Sequence, residues 1–330
     1  MTSLLEMNGC DVNQGDSAGM TPLIWAVRGG QGDAVGLLLR QEAVNADKPD
    51  NCGNTPLWWA ARDGYDSMVK LLLDRAEVDP NHGTNKGFTP LSEAAYGGHE
   101  SVVRQLLDRQ DVGPDKPDNE GNTPLSWAAR NGHNSVVQQL LDRAEVDPNH
   151  PSNKGFTPLI VAAYGGHESV VKQLLDRQDV SPYKPDNEGK IPLLWAAMQG
   201  HESVVRQLLD RQDVNPDKPD SEGNTPLLWA ASNGHNSVVK QLLDRAEVDP
   251  NHPSNKGFTP LSGAAYSGHE SVVKQLLGRR DVEPDKPDNE GKTPLSWAAV
   301  AAVSGPGRGR PRQVRQIWSH PALLCVQQRP

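Results

Sequence analysis

The sequence lacks any long apolar segment. No uncharged apolar run approaches the roughly 18 residues that a membrane-spanning helix needs. Residues 1–10 (MTSLLEMNGC) have neither a basic flank nor the apolar stretch of a secretion signal. We therefore expect no membrane association, no secretion and a cytoplasmic location, with the nucleus as the alternative.

Cysteine and positive charge are scarce as well. The three cysteines, Cys10, Cys52 and Cys325, are odd in number and far apart, which argues against a disulfide framework and a zinc knuckle. The formal net charge is −9, and residues 301–330 carry +5, which leaves −14 for residues 1–300. Such a balance disfavours nucleic-acid binding and favours a protein partner with a basic or apolar segment.

A strict internal repeat organises the chain. A Thr-Pro-Leu box, with Ile191-Pro-Leu in one slot, occurs nine times at intervals of 34 residues. The boxes begin at Thr21, Thr55, Thr89, Thr123, Thr157, Ile191, Thr225, Thr259 and Thr293. A fixed period of this length is typical of repeat proteins, in which each small unit buries its apolar face only against its neighbours.

Each repeat predicts two helices followed by an extended finger. Thr225 is suited to cap a helix and Pro226 to occupy its first position, and Gly234 provides the left-handed residue that ends it. A second helix is indicated by the apolar positions Val238, Val239, Leu242 and Leu243. The stretch that follows is rich in Asp, Asn, Pro and Gly, and it predicts turns.

The motif G-x-TPL-x-x-AA-x-x-GH-x-x-VV-x-x-LL resembles the ankyrin repeat over roughly residues 1–303. The resemblance implies an all-α ankyrin-repeat α-solenoid with short β-hairpin-like fingers. The tetratricopeptide repeat has the same period, but its two long helices and its Trp and Tyr spacing are absent. This chain departs from the ankyrin family by one extra residue per repeat and by lacking the usual His directly after the box. The family's His-centred hydrogen bonds are therefore not carried over.

The sequence divides into three parts. We expect residues 1–16 to be the end of a partial upstream repeat and residues 17–303 to form an array of about nine units, the last one incomplete. Residues 304–330 are expected to be a basic, disordered tail rich in Gly, Pro and Arg. Residues 142–159 and 244–261 are identical, which indicates tandem duplication and resembles the arrays of fungal NACHT-type (NOD-like) receptor proteins.

No catalytic, cofactor-binding or metal-binding residue is predicted. The histidines after the helix-ending glycines are one repeat apart, about 8–10 Å, which is too far to share a zinc ion, so we expect hydrogen bonding in the turn. The finger acids, such as Asp217 and Asp220, do not follow the order of a calcium loop and are expected to form a solvated rim. The loop histidines His82, His150 and His252 are also expected to be solvated.

A row of tryptophans is the strongest candidate for a binding surface. Six of them stand two residues after the box leucine, roughly 200° around the helix from it, so we expect them to face away from the apolar stripe. The two residues before the helix-ending glycine share that side. We predict partner-binding roles for Trp25, Trp59, Trp127, Trp195, Trp229 and Trp297, and for Arg62, Tyr96, Arg130, Asn131, Tyr164, Met198, Gln199, Asn233 and Tyr266. The alternative is that each indole packs against a neighbouring helix or finger.

The predicted function is protein–protein interaction. The resemblance implies a non-enzymatic scaffold or recognition module that binds a partner through the concave face and fingers, without a cofactor. The alternative is a sensor or regulatory part of a larger receptor or enzyme, whose catalytic or nucleotide-binding domain lies outside this chain.

Overall fold

A computed structural model describes residues 11–304, and all regular structure in this range is α-helical. The chain divides into two compact units, Met1–Asn187 and Glu188–Pro330. The first unit contains α1 (Pro22–Arg28), α2 (Gly32–Leu39), α3 (Pro56–Arg62), α4 (Asp66–Leu73), α5 (Pro90–Gly97), α6 (Glu100–Leu107), α7 (Pro124–Asn131), α8 (Asn134–Leu141), α9 (Pro158–Gly165) and α10 (Glu168–Leu175). The second unit contains α11 (Pro192–Gln199), α12 (Glu202–Leu209), α13 (Pro226–Ser232), α14 (Asn236–Leu243), α15 (Pro260–Ser267), α16 (Glu270–Leu277) and α17 (Pro294–Ser304).

The first helix of each repeat begins where the box predicts. Thr55 has an extended backbone, its hydroxyl oxygen accepts the Trp58 amide at 3.1 Å, and Pro56 opens the helix. The same cap recurs in the other Thr-Pro-Leu repeats, whereas Ile191 caps α11 without any side-chain bond. At the opposite end, Gly98 adopts a left-handed backbone with φ of 73° and so ends α5.

The helices of each unit form two layers. In the first unit, the first helices α1, α3, α5, α7 and α9 contact one another in order, and the second helices do the same. The second unit repeats this arrangement from α11 to α17 and from α12 to α16. The core between the layers consists of the box leucines, the paired alanines and the Val-Val and Leu-Leu pairs. The predicted all-α repeat fold is confirmed.

The fingers are turns tied together by asparagines, and residues 11–304 contain no β-strand. The Asn119 backbone N–H donates to the Lys86 carbonyl at 3.0 Å, and its side-chain N–H donates to the Asn85 carbonyl at 3.0 Å. This double contact recurs one repeat apart in both units, at Asn51, Asn85, Asn153, Asn187, Asn255 and Asn289. Each finger is therefore held by the preceding one.

Two expectations lie largely outside the described residues. The partial upstream repeat predicted for residues 1–16 is described only from residue 11, and the tail predicted for residues 304–330 is described only at its first residue. Among the helices that the structure describes, none has the length and hydropathy needed to cross a membrane.

Candidate functional site

Most side chains of the predicted tryptophan row are buried or half-buried in the structure. Trp59, Trp127 and Trp195 are buried, with 8%, 9% and 4% of their surface exposed, and Trp229 and Trp297 are half-buried. Only Trp25 is open, with 51% of its surface exposed. The expected outward orientation is therefore corrected for the three buried indoles, which follow the packing alternative.

An aspartate of the finger accepts the indole N–H of five of these tryptophans. Trp127 donates its indole N–H to Asp118 Oδ2 at 3.1 Å, and Asp118 Oδ1 accepts the amides of Glu120 and Asn122 at 2.9 Å each. The aspartate thus shapes the finger and holds the first helix at once. The same indole–carboxylate bond occurs at Trp25–Asp16, Trp59–Asp50, Trp229–Asp220 and Trp297–Asp288.

Repeats without the tryptophan also lack the aspartate. Where Glu93, Val161 and Gly263 replace the indole, the residue nine positions earlier is Thr84, Ser152 and Ser254 respectively. This matched exchange is visible in the sequence, and our reading of the residues missed it. At position 263, a Cβ would collide with the Ser232 hydroxyl, so the space beside the glycine is already filled.

The expectation that the finger acids form a solvated rim is wrong for the aspartate that begins each finger of the tryptophan repeats within the core of the array. Asp220 has 7% of its surface exposed and is bonded to an indole, and Asp50, Asp118, Asp186 and Asp288 are buried to a similar degree. Exposed finger acids remain at the tips, as at Glu120 and Glu222.

Repeats with phenylalanine in the finger pack against the tryptophan of the next repeat. The rings of Phe88 and Tyr96 both lie 5.5 Å from the Trp127 ring, centroid to centroid. In the second unit, Phe258 and Tyr266 approach Trp297 to 5.2 Å each. Tyr96 and Tyr266, which were predicted as partner contacts, are therefore half-buried members of aromatic clusters.

Three first-helix arginines lie on indole rings. The Arg28 guanidinium carbon lies 5.3 Å from the Trp25 centroid and 4.4 Å from that of Trp59. Arg62 lies 4.9 Å from the same Trp59 centroid. Arg130 lies 5.6 Å from the centroid of Trp127. Such cation–π contacts fix a guanidinium without consuming its N–H groups.

The remaining predicted contact residues fall into two groups. Met198 is buried, while Gln199 and Tyr164 are half-buried. The side-chain amides of Asn131 and Asn233 donate to the carbonyls of the preceding first helix, at Tyr96 and Met198, over 2.8 and 3.0 Å. These asparagines serve the packing of neighbouring repeats and keep only part of their surface for a partner.

The turn histidines make the hydrogen bonds that were predicted for them. His99 Nε2 lies 2.9 Å from the Arg62 carbonyl, and the ring therefore links one repeat to the one before. Equivalent contacts are made by His133, His167, His235 and His269. Burial lowers the pKa of His235, which favours the neutral ring in this position.

The loop histidines are not simply solvated, which corrects our expectation. His82, His150 and His252 each lie within 4.0 Å of an aspartate of the preceding loop, namely Asp47, Asp115 and Asp217. Burial raises the pKa of all three carboxyl groups. Their Oδ1 atoms are buried and have no hydrogen-bond partner among the described residues. Within the same residues, no group of three His, Cys, Asp or Glu side chains could hold a metal ion.

Tandem helix pairs with hydrogen-bonded fingers define an all-α repeat protein. The family model described as ankyrin repeats (3 copies) matches residues 1–83, 76–152, 128–220, 161–253 and 227–303. The chain therefore belongs to the ankyrin-repeat family, whose repeats are generally protein–protein interaction modules. The search for individual similar proteins of established description found no match.

Proposed function

We propose that this protein is a non-enzymatic recognition module that binds a partner protein through its first-helix face. We define this face as the fingertips together with the ends of the first helices. The observation that carries the proposal is the partial exposure of interface-type residues there, namely Trp25, Arg62, Tyr96, Arg130 and Tyr164 in the first unit and Tyr266 in the second.

The chemistry of this face supports a partner with an apolar segment. The exposed indole of Trp25 and the half-buried tyrosines offer rigid contact area at a low cost in conformational entropy. The net charge of −14 over residues 1–300 adds attraction for a basic segment near the exposed acids of the loops and fingertips. A cytoplasmic location remains part of the proposal, in keeping with the odd number of separated cysteines.

Affinity capture with matched variants tests the proposal. The full chain, a Trp25→Ala, Gln199→Ala variant and an Arg104→Ala, Lys172→Ala variant are used as baits, and captured proteins are quantified by mass spectrometry. The control variant changes exposed residues of the second helices α6 and α10. We expect the first-helix variant to lose at least one partner that the control retains. Equal capture by all three baits would contradict the use of this face.

A second candidate function is a regulatory array within a larger receptor. The identity of residues 142–159 with residues 244–261 favours it, because such recent duplication is similar to the arrays of NACHT-type receptor proteins. Sequencing the full-length transcript tests this candidate. A nucleotide-binding domain encoded in the same reading frame would support it, and an adjoining reading frame without such a domain would contradict it.

A further inference from the structure

The arginines of the loops and those of the first helices differ in how they are held. Arg109 donates to both carboxylate oxygens of Asp111, at 2.9 and 2.6 Å, and the same two-residue clamp recurs in the loops of both units. By contrast, Arg28 has no ion-pair partner among residues 11–304, although it is exposed. The nearest carboxylate oxygens to Arg62 belong to Asp63 and Glu93, both 3.9 Å away.

Arg28 and Arg62 both contact the Trp59 ring in spite of their like charges. Both guanidinium carbons are within 5 Å of the centroid of the Trp59 ring, at 4.4 and 4.9 Å. Two cations near one ring repel each other. The carboxylate of Asp50, which accepts the Trp59 indole N–H at 3.2 Å, and the 3.9 Å contacts of Arg62 with Asp63 and Glu93 offset part of this repulsion. A pair of carboxylates from a partner would offset the repulsion between the two guanidinium groups and accept hydrogen bonds from the N–H groups of both.

We infer that Arg28 and Arg62 form a docking site for adjacent carboxylates in an acidic segment of a partner protein. This inference rests on the proposed function and adds an acidic segment, bound at one part of the first unit, to the apolar and basic segments proposed for the partner. A cation–π contact leaves the N–H groups of a guanidinium available for hydrogen bonds, and a guanidinium can bond a carboxylate through two of them. The exposed Trp25 ring, 5.3 Å from Arg28, provides an apolar contact for a neighbouring side chain of the same segment.

Charge elsewhere in the chain favours a short acidic segment over a nucleic acid. The −14 of residues 1–300 would repel a long polyanion along its length. At physiological salt, however, charges more than about 8 Å apart are largely screened. Two or three acidic residues can therefore bind locally while a strongly acidic polymer is opposed.

Peptide binding to the full chain tests this inference. Fluorescein-labelled hexaglutamate is titrated with the wild type, with Arg28→Gln/Arg62→Gln and with Arg104→Gln, and binding is measured by fluorescence anisotropy. Arg104 is exposed on α6, so its replacement removes positive charge without touching the site. We expect hexaglutamate to bind the wild type, the double variant to weaken binding by about tenfold or more, and Arg104→Gln to change it by less than about twofold.

Several outcomes would overturn the inference. These are no binding of hexaglutamate to the wild type, equal binding to the double variant, an equal loss in Arg104→Gln, or displacement of the peptide by an equivalent charge of inorganic phosphate. If circular dichroism shows that the double variant is unfolded, Arg28→Gln alone carries the test, because Arg28 is exposed. Failure here would leave the proposed function intact if partner capture still depends on the first-helix face.

Discussion

Asp118 shows how one side chain can serve two elements. Its two oxygens accept from the backbone of the finger and from the Trp127 indole, and its surface is 7% exposed. A buried carboxylate in this position is tolerated because two backbone amides, the Asn122 side-chain amide and the Trp127 indole donate hydrogen bonds to it. The residue therefore links finger geometry to helix position, and removing it should affect both.

Replacement of Asp118 by alanine is expected to destabilise the protein by on the order of 3 kcal/mol, since two amides and an indole N–H would be left without an acceptor. Asp16 offers a matched control. It also accepts two backbone amides, of Ala18 and Met20, and the Trp25 indole N–H, but at an exposed site. Urea denaturation followed by tryptophan fluorescence should show a much smaller change for Asp16→Ala. A larger loss at Asp16 would contradict the role of burial.

Ile191 is the one box residue that cannot cap its helix through a side chain. The amide of Leu194 bonds instead to the Ile191 carbonyl at 3.0 Å. Because Val and Thr have nearly the same shape, Ile191→Val and Ile191→Thr differ mainly in the hydroxyl group. We expect the threonine variant to exceed the valine variant in stability by about 1 kcal/mol, as judged from their urea midpoints. A valine variant of equal or higher stability would show that the carbonyl bond already suffices.

At the scale of the elements, the loops contain carboxylates with opposite responses to pH. Burial raises the pKa of Asp115, whereas the hydrogen bond from Arg109 holds the pKa of Asp111 below its ordinary value of 3.8. Ionised Asp115 therefore costs stability above its raised pKa, and this cost disappears below 3.8. Asp111 contributes stability above 3.8, and the contribution is lost as the pH falls through its lowered pKa.

The variants Asp115→Asn and Asp111→Asn should consequently change stability in opposite directions at neutral pH. The asparagine at position 115 can still accept the Asp147 amide, which lies 3.1 Å from Asp115 Oδ2. Thermal unfolding at pH 7 should show a gain for Asp115→Asn and a loss for Asp111→Asn, and the gain should shrink toward pH 4. A gain that is independent of pH would mean that the charge of Asp115 is not its cause.

Local signals predicted the helices well because their causes are local. The Thr-Pro start and the Gly end act within a single turn, so Thr55 and Gly98 could be assigned from the sequence. The burial of Trp127 depends on a finger residue nine positions earlier and on Phe88 of the preceding repeat. A helical wheel of the first helix contains neither neighbour. The sequence does show, however, that Asp and Trp are present or absent together in each repeat. The loop pair Asp115–His150 joins residues 35 positions apart and required the stacking itself.

At the scale of the whole molecule, the repeats fall into two types that follow an order. One type has the Asp–Trp pair, and the other has Phe in the finger and Tyr at the end of its first helix, as at Phe88 and Tyr96. Every phenylalanine repeat is followed by a tryptophan repeat, and the tryptophan type can also follow itself. Within the first unit, the order places Phe88 and Tyr96 against Trp127. Stability therefore depends on the order of the repeats as well as on their number.

Deleting one repeat of each type tests this dependence on order. Removal of residues 118–151 and removal of residues 84–117 each delete 34 residues. The first deletion puts two phenylalanine repeats in sequence, so that Phe88 and Tyr96 face Val161 in place of Trp127. The second joins the Trp59 repeat to the Trp127 repeat, an order that the chain already has at Trp25 and Trp59. Both deletions lose the two aromatic contacts of Trp127 with Phe88 and Tyr96. The second, however, forms a junction in which Arg62 can lie on the Trp127 ring as Arg28 lies on that of Trp59. A cation–π contact contributes about 0.5–1 kcal/mol at an exposed site, so the first deletion should be the less stable by about that amount in urea denaturation. Equal midpoints would mean that neighbouring repeats are interchangeable, as a simple additive model of repeat proteins assumes.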